Sequence, residues 1–405
     1  MKIKFRKFPY PYKAAITVSN DIDLMEWETF AGIYNFLNTK KDTKFGPGLG
    51  LALSSSIFFY SIDSKTISYF TGISERKSVY AERIAGLIRA GVIDTLHSYG
   101  DWGTYGQADY GFNRKYAEQV LNELEKNSLK LRVWTNHGHD NSIQNISRGR
   151  SGRTYEQGDD PGSPAYHADL LDKYGVRYFW ASSTNIPGQE FSNAGYALEV
   201  LRGKGSLNTW KENLRGRNKL FSEYECLDGR IREFFVRYRG EKKAVVENLP
   251  SQLSPATIDS LSAAGGCLIV YTHFGARMES DKVISNSPWL PDAFVGTMRY
   301  LAEKNAAGDI WVAPLAVLLD HNFLVNKTTL TVETDKQGTC ARINFPAGAE
   351  CPLPAGLSLE AEGQDAERLE TLSAGGKRIR LEKIQAAGDK VVFRIPGAKI
   401  EFPII

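Results

Sequence analysis

The chain has 405 residues, 42% of them apolar and 11% aromatic, with 50 basic against 47 acidic side chains and a net charge of +3. That length can bury one large core and a smaller one, and so even a charge balance excludes a nucleic-acid footprint. No apolar run reaches bilayer length, and Pro9 and Pro11 break the basic opening MKIKFRKFPYPYKAA before a signal-peptide core can form, so a cytoplasmic protein with no membrane span is expected.

In chain order, strand-like apolar runs alternate with helical patterns. AAITVS (14–19) leads into WETFAGIYNFLNT, and LGLALSS (49–55) and IFFYSI (57–62) precede SVYAERIAGLIRAG (78–91). VIDTLHS (92–98) precedes RKYAEQVLNELEKN (114–127), and LKLRVWTN (129–136) is followed by the helical YHADLLDKYG (166–175) and the strand-like VRYFWASS (176–183). KLFSEYECL and IREFFVRYRG read as two extended segments around Asp228-Gly229, a good hairpin turn. SPATIDSLSAAG (254–265) leads into CLIVYTHF (267–274), and DAFVGTMRYLAEKN (292–305) into DIWVAP (309–314) and LAVLLDHNFL. This alternation predicts a parallel α/β architecture, a barrel rather than an open sheet. Beyond about residue 325 the runs become short and alternating, with Gly, Pro and Asp turns. A small all-β module is predicted there, with no tryptophan to suggest a sugar platform.

Chemistry-bearing residues gather where strands end, the place where barrel enzymes carry their sites. In AAITVSNDID (14–23) a β-branched run closes on Asp21 and Asp23, which share a face on an extended chain. Two like charges so close require a cation or a proton, although either aspartate could simply cap the following helix. Four of the six histidines follow strand-like runs: His97 in HSYGD, His137 and His139 in NHGHD, and His273 in YTHFG. His167 and His321 fall within helical patterns and read as packing or surface residues. The four cysteines, Cys226, Cys267, Cys340 and Cys351, are widely spaced and read as buried thiols.

The order of these motifs resembles the polysaccharide deacetylase family, carbohydrate esterase family 4 with its NodB homology domain, over roughly residues 12–320. The Asp-rich first motif matches Asp21-Ile22-Asp23. The H-S/T-x-x-H second motif matches His97-Ser98-Tyr99-Gly100-Asp101, with aspartate where the family has its second histidine. Arg132 stands for the Arg-bearing third motif, and His273 for the terminal histidine. The resemblance implies a distorted (β/α)7-type barrel over 1–325; the all-β module outside it is expected as a β-sandwich-like accessory domain over 326–405. The resemblance also implies a divalent metal, zinc foremost with manganese, cobalt or iron as alternatives. Carried over residue by residue, Asp23 and His97 bind metal, Asp21 is the general base, His273 the general acid, and Arg132 orients Asp21. Asp101 either completes an Asp–His–Asp site or stands behind an imidazole from His137 or His139; a site without metal is the third option. Trp134 and Trp102, with His137 and His139, are expected to line the substrate pocket, and Arg148, Arg150 and Arg153 to be loop charge or contacts to an acidic group. The activity implied is removal of an acyl group from an amino sugar or surface-polysaccharide precursor. The alternatives are a retired scaffold that binds or modifies glycans, and a glycosyltransferase holding manganese on Asp21-x-Asp23.

Overall fold

The computed structural model describes residues 1–102, 111–137, 142–147, 156–184, 220–240, 242–354, 356–363, 365–395, 400 and 402–405. His139, Tyr105, Arg148, Arg150 and Arg153 lie outside the described residues.

Among the described residues, seven parallel strands close a barrel: β1 (Ala14–Asn20), β2 (Ser55–Ile57), β3 (Ile93–His97), β4 (Val133–Thr135), β5 (Tyr178–Thr184), β6 (Ile231–Tyr238) and β7 (Cys267–Thr272). The ring closes because β7 pairs with β1 along its whole length, Cys267 opposite Ala15 through Thr272 opposite Asn20. It is distorted at one seam. An eighth strand, β8 (Ile310–Val312), takes the first half of the other edge of β1. Beyond it, β1 pairs with β2 at one position, Asn20 opposite Ser55. This is the distorted (β/α)7-type barrel expected.

Helices α1 (Trp27–Asn38), α2 (Ala81–Arg89), α3 (Arg114–Lys126), α4 (Ala168–Tyr174), α5 (Pro255–Ala264) and α6 (Asp292–Ala306) wrap it, and α7 (Leu315–Lys327) follows β8. Alternation along β1 assigns the two faces. Ala14, Ile16 and Val18 join the cluster that holds Ile33, Phe36 and Leu37 of α1 and Ile258 and Leu261 of α5. Each of the Ile, Val, Leu and Phe side chains among them, once fully buried, contributes about 1.5–3 kcal/mol. Ala15, Thr17 and Ser19 therefore face the barrel interior, and so does Asp21, one step past the strand's end. The predicted hairpin is present: Phe221–Glu225 runs antiparallel to β6, with Gly229 supplying a positive φ at the turn.

The all-β module consists of two four-stranded sheets. Their buried Leu359, Val391 and Phe393 share one cluster with Ile343 and Leu372. Its boundary differs from 326–405 in one respect. The N-terminal strand Lys2–Phe5 pairs antiparallel with Ser358–Glu362, so the module takes in the start of the chain. Sequence pattern gives no hint of a partner so far along the chain. The C-terminal residues return to the barrel, where Tyr34 of α1 donates to the Pro403 carbonyl at 3.0 Å. No helix among the described residues is long and apolar enough to cross a membrane, and all four cysteines are buried free thiols.

Two histidines outside the barrel mouth couple this packing to pH. His167 bonds the Ala165 carbonyl at 2.8 Å and His321 the Lys7 carbonyl at 3.0 Å; burial pushes both down to about 4. Each is neutral in the fold and charges near its ordinary value of about 6.5 once unfolded. The stabilisation is thus complete above about pH 6.5 and is lost as pH falls toward 4, by roughly 3 kcal/mol per histidine. Thermal melts should show Tm dropping between pH 6.5 and 4.5, with a shallower drop in His321→Gln. A wild-type Tm that is flat over that interval would contradict this.

Candidate metal centre

A parallel barrel brings all strand carboxyl ends to one rim, and five ionisable side chains meet there. Asp21 and Asp23 follow β1, His97 ends β3, His137 follows β4 and His273 follows β7. Local backbone fixes several of them. Leu24, directly after Asp23, holds φ at 58°, a left-handed turn unusual for leucine. Phe274 N–H donates to Asn20 Oδ1 at 2.8 Å, and Asn20 Nδ2 donates to Ser55 Oγ at 2.9 Å, tying β7, β1 and β2 together at this rim. Gly100, in HSYGD, lies against the segment that follows β2: a Cβ there would stand 2.7 Å from the Tyr60 carbonyl oxygen.

Asp21 is sealed in. Ser56 donates to its Oδ1 at 2.6 Å, and Arg237 Nη1 lies 3.2 Å from its Oδ2. Arg237 is itself buried, also donates to Ser19 Oγ at 3.1 Å, and is sandwiched between Tyr271 and Trp180, its guanidinium carbon 3.8 and 4.5 Å from the two ring centres. Burial would raise the Asp21 carboxyl, but the charges on His97 and Arg237 outweigh it and hold the group below its ordinary value.

Asp23 faces the imidazoles. His97 Nε2 lies 3.6 Å from its Oδ1; His273 Nε2 and His137 Nε2 lie 3.7 and 4.0 Å from its Oδ2. Burial again opposes ionisation, and His97 and His273 overcome it, holding Asp23 well below the usual carboxylate range. His97 is pulled down by burial but raised overall by the two aspartates. In His273 the same burial is overcome by Asp23, which drives it up to about 9. His137 goes the other way: burial and the nearby His97 push it below its ordinary value.

The donor set fits a divalent cation. Asp23 Oδ1 is buried with no hydrogen-bond partner, which calls for an explanation in a native site. Asp23, His97 and His137 offer ligand atoms all within 4.8 Å of one another, a carboxylate with two imidazoles, which is a common zinc set. Ligands about 2.0–2.1 Å from a tetrahedral zinc stand about 3.4 Å apart, close to the 3.6 Å between His97 and Asp23. His97 Nδ1 is engaged by Thr135 Oγ1 at 2.8 Å, which leaves Nε2 to face the ligand position. Phe58 stacks on the His97 ring at 4.7 Å and walls one side. Asp21, Asp23 and His273 form a second grouping, but the Arg237 guanidinium bonded to Asp21 places a positive charge beside any cation there.

The remaining expected residues sort by strand geometry. Asp101 is absent from both groupings; its Oδ1 lies 3.6 Å from His137 Nδ1, on the far side of that ring. Among the described residues, the imidazole grouped with Asp23 and His97 is that of His137, with Asp101 behind it. Arg132 does not orient Asp21. It precedes β4, at the opposite end of the barrel, and pairs with Asp320 of α7 at 2.9 Å. Arg237 stands beside Asp21 instead, and the sequence singled out nothing in IREFFVRYRG beyond a strand. Trp134 does not line the pocket: Thr135 faces inward to His97, so its neighbour faces outward, fully buried, and donates to Asn136 Oδ1 at 2.8 Å. Trp102 is also core, packed against Tyr60 and Phe112.

No family model and no curated protein matches this chain. Among solved structures, an endo-beta1,6-glucanase aligns over 98% of this chain and 94% of its own, at 12% identity and a TM-score of 0.34. An alpha-L-fucosidase from Bacteroides thetaiotaomicron aligns over 94% and 80%, at 7% identity and a TM-score of 0.32. Likeness at that level carries no argument, and the fold and site rest on their own geometry.

Breaking a buried ion pair from one side costs about 3–5 kcal/mol. Urea unfolding of Arg237→Met should show a loss of that order, and adding Asp21→Asn should recover part of it. Arg132→Met should show no such coupling to Asp21→Asn. Simple additivity of Arg237→Met and Asp21→Asn would refute the pairing.

Proposed function

We propose that the protein is a metal-dependent amide hydrolase of the polysaccharide deacetylase type, acting on an N-acylated amino sugar or glycan. The observation that carries the reading is the buried, unbonded Asp23 Oδ1 facing His97 at the barrel mouth, in one group with His137. The substrate class comes from the resemblance of the motif order to that family.

Asp23, His97 and His137 would hold the cation. When bound, a divalent ion such as zinc supplies polarisation of the acyl carbonyl and a more acidic water. The protein's own groups then divide the proton traffic. Asp21 stays ionised between Arg237 and Ser56 and takes the proton from the attacking water. His273 is the proton donor of this reading: Asp23, 3.7 Å from its Nε2, raises it to about 9 before any cation is bound. With its side chain 25% exposed, against 4% for His97, it is also the group at the rim that a leaving amine can meet. Its Nδ1 is bonded to the Ala244 carbonyl at 2.9 Å, a pure acceptor, so Nε2 carries the transferable proton. Water adds to the acyl carbon, the C–N bond breaks, and the nitrogen leaves as an amine with the His273 proton.

Elemental analysis of protein purified without chelator should find a divalent metal in the wild type and none in Asp23→Ala or His97→Ala. With N-acetylated amino sugars and oligosaccharides, release of free amine should fall by about 10²–10⁴-fold in His273→Ala, the span of a general-acid contribution, while metal content is unchanged. Metal-free wild-type protein, or undiminished amide cleavage by His273→Ala, would overturn the reading.

A further inference from the structure

His137 is the exception among the groups facing Asp23. His97 ends a strand, whereas His137 sits two positions beyond β4, outside the sheet ladder. A histidine in that position presents its ring reproducibly only if its own main chain is held.

Two buried amides hold it reciprocally. Asn145 Oδ1 accepts the His137 N–H at 3.1 Å, and Asn145 Nδ2 donates to the His137 carbonyl at 2.8 Å. Asn136 does the same for the neighbour of Asn145: its Oδ1 accepts the Ile146 N–H at 3.0 Å and its Nδ2 donates to the Ile146 carbonyl at 2.8 Å. Each side chain thus satisfies both main-chain groups of the residue adjacent to the other, as a sheet rung would, although neither segment is a strand. Asn145 is 1% exposed and Asn136 8%. The far side of the His137 ring is met by Asp101 Oδ1 at 3.6 Å and Ser142 Oγ at 3.5 Å from Nδ1. Backbone and ring are therefore held from different directions, with Nε2 left facing Asp23.

We propose that Asn145, with Asn136 as its counterpart, is a positioning residue that sets His137 as the third ligand of the cation, replacing a ligand from the β3 loop. The inference rests on the cation reading above. A ligand must be held within about 0.5 Å of its productive place, and outer partners of metal ligands typically account for 10–100-fold in affinity. Asn145→Asp tests this without changing volume, because it keeps the acceptor for the His137 N–H and removes the donor to the His137 carbonyl.

The experiment titrates the full chain with zinc alone against a chromophoric chelator, and with cobalt alone by visible absorption. It compares wild type, Asn145→Asp, His137→Ala and the double variant. Asn145→Asp should weaken zinc 10–100-fold and alter the cobalt spectrum, yet have no further effect once His137 is alanine. Equal weakening by Asn145→Asp with and without His137, or affinity within twofold of wild type despite a lower melting temperature, would overturn the clamp alone. Wild-type affinity in His137→Ala would remove the ligand assignment and the clamp with it. Should Asn145→Asp fail to fold, Asn136→Asp applies the same cycle through the other half.

Discussion

Two carboxylates placed where water is scarce are the constraint to which the rest of the barrel mouth answers. Asp21 is fully buried, and Asp23 has a buried oxygen with no hydrogen bond. Ionised carboxylates in such surroundings demand compensation. Asp21 receives it permanently, from Arg237 and Ser56. Asp23 receives it from the imidazoles of His97 and His273, both raised by the neighbouring aspartates when no cation is bound, while His137 is pushed the other way by burial and His97. A fixed arginine stands beside one carboxylate of the D-x-D motif and imidazoles beside the other, the arrangement that the proposed division into base and ligand requires. That division also distances the site from a pair of aspartates jointly gripping manganese.

The two ends of the barrel use buried charge differently. At the foot, Asp320 accepts from Tyr178 at 2.8 Å and pairs with Arg132 at 2.9 Å, beside the buried Cys351 of the β module. That cluster is internally satisfied and joins module to barrel. At the mouth, satisfaction is left incomplete at Asp23. What marks the mouth is that its unbonded carboxylate oxygen shares one group with two imidazoles, whereas Arg177 Nε and Glu233 Oε2 near the foot, also without hydrogen-bond partners, face each other as an ion pair at 3.6 Å.

Much of this was legible in the sequence because it depends on local periodicity. The pattern in DAFVGTMRYLAEKN gives α6, the β-branched run AAITVS gives β1, and Asp228-Gly229 gives the hairpin turn. Histidines after strand-like runs point to the mouth because parallel topology leaves them nowhere else to converge. What escaped depends on register and closure. Arg237 reaches Asp21 because β6 lies between β5 and β7 and is shifted by a bulge at Phe235/Val236, and no window of IREFFVRYRG contains that. Arg132 was a reasonable choice by motif order, but it stands before its strand rather than after it. Trp134 faces outward because Thr135 faces in, a parity that only the ladder fixes. The runs at 49–55 and 57–62 shrink to Ser55–Ile57, where β8 takes the first half of the edge of β1 and β2 pairs with it only at Asn20.

The proposed function turns on Asp23, His97 and His137 enclosing one cation, with Asp21 and His273 beside it and Asp101 behind. Anomalous diffraction at the zinc edge, from crystals of zinc-loaded protein, tests it most directly. A single peak is expected within about 2.0–2.2 Å of one Asp23 oxygen and of Nε2 in both His97 and His137. A peak bound by Asp101 in place of His137, a peak on Asp21 and His273, or no peak at the mouth would contradict it.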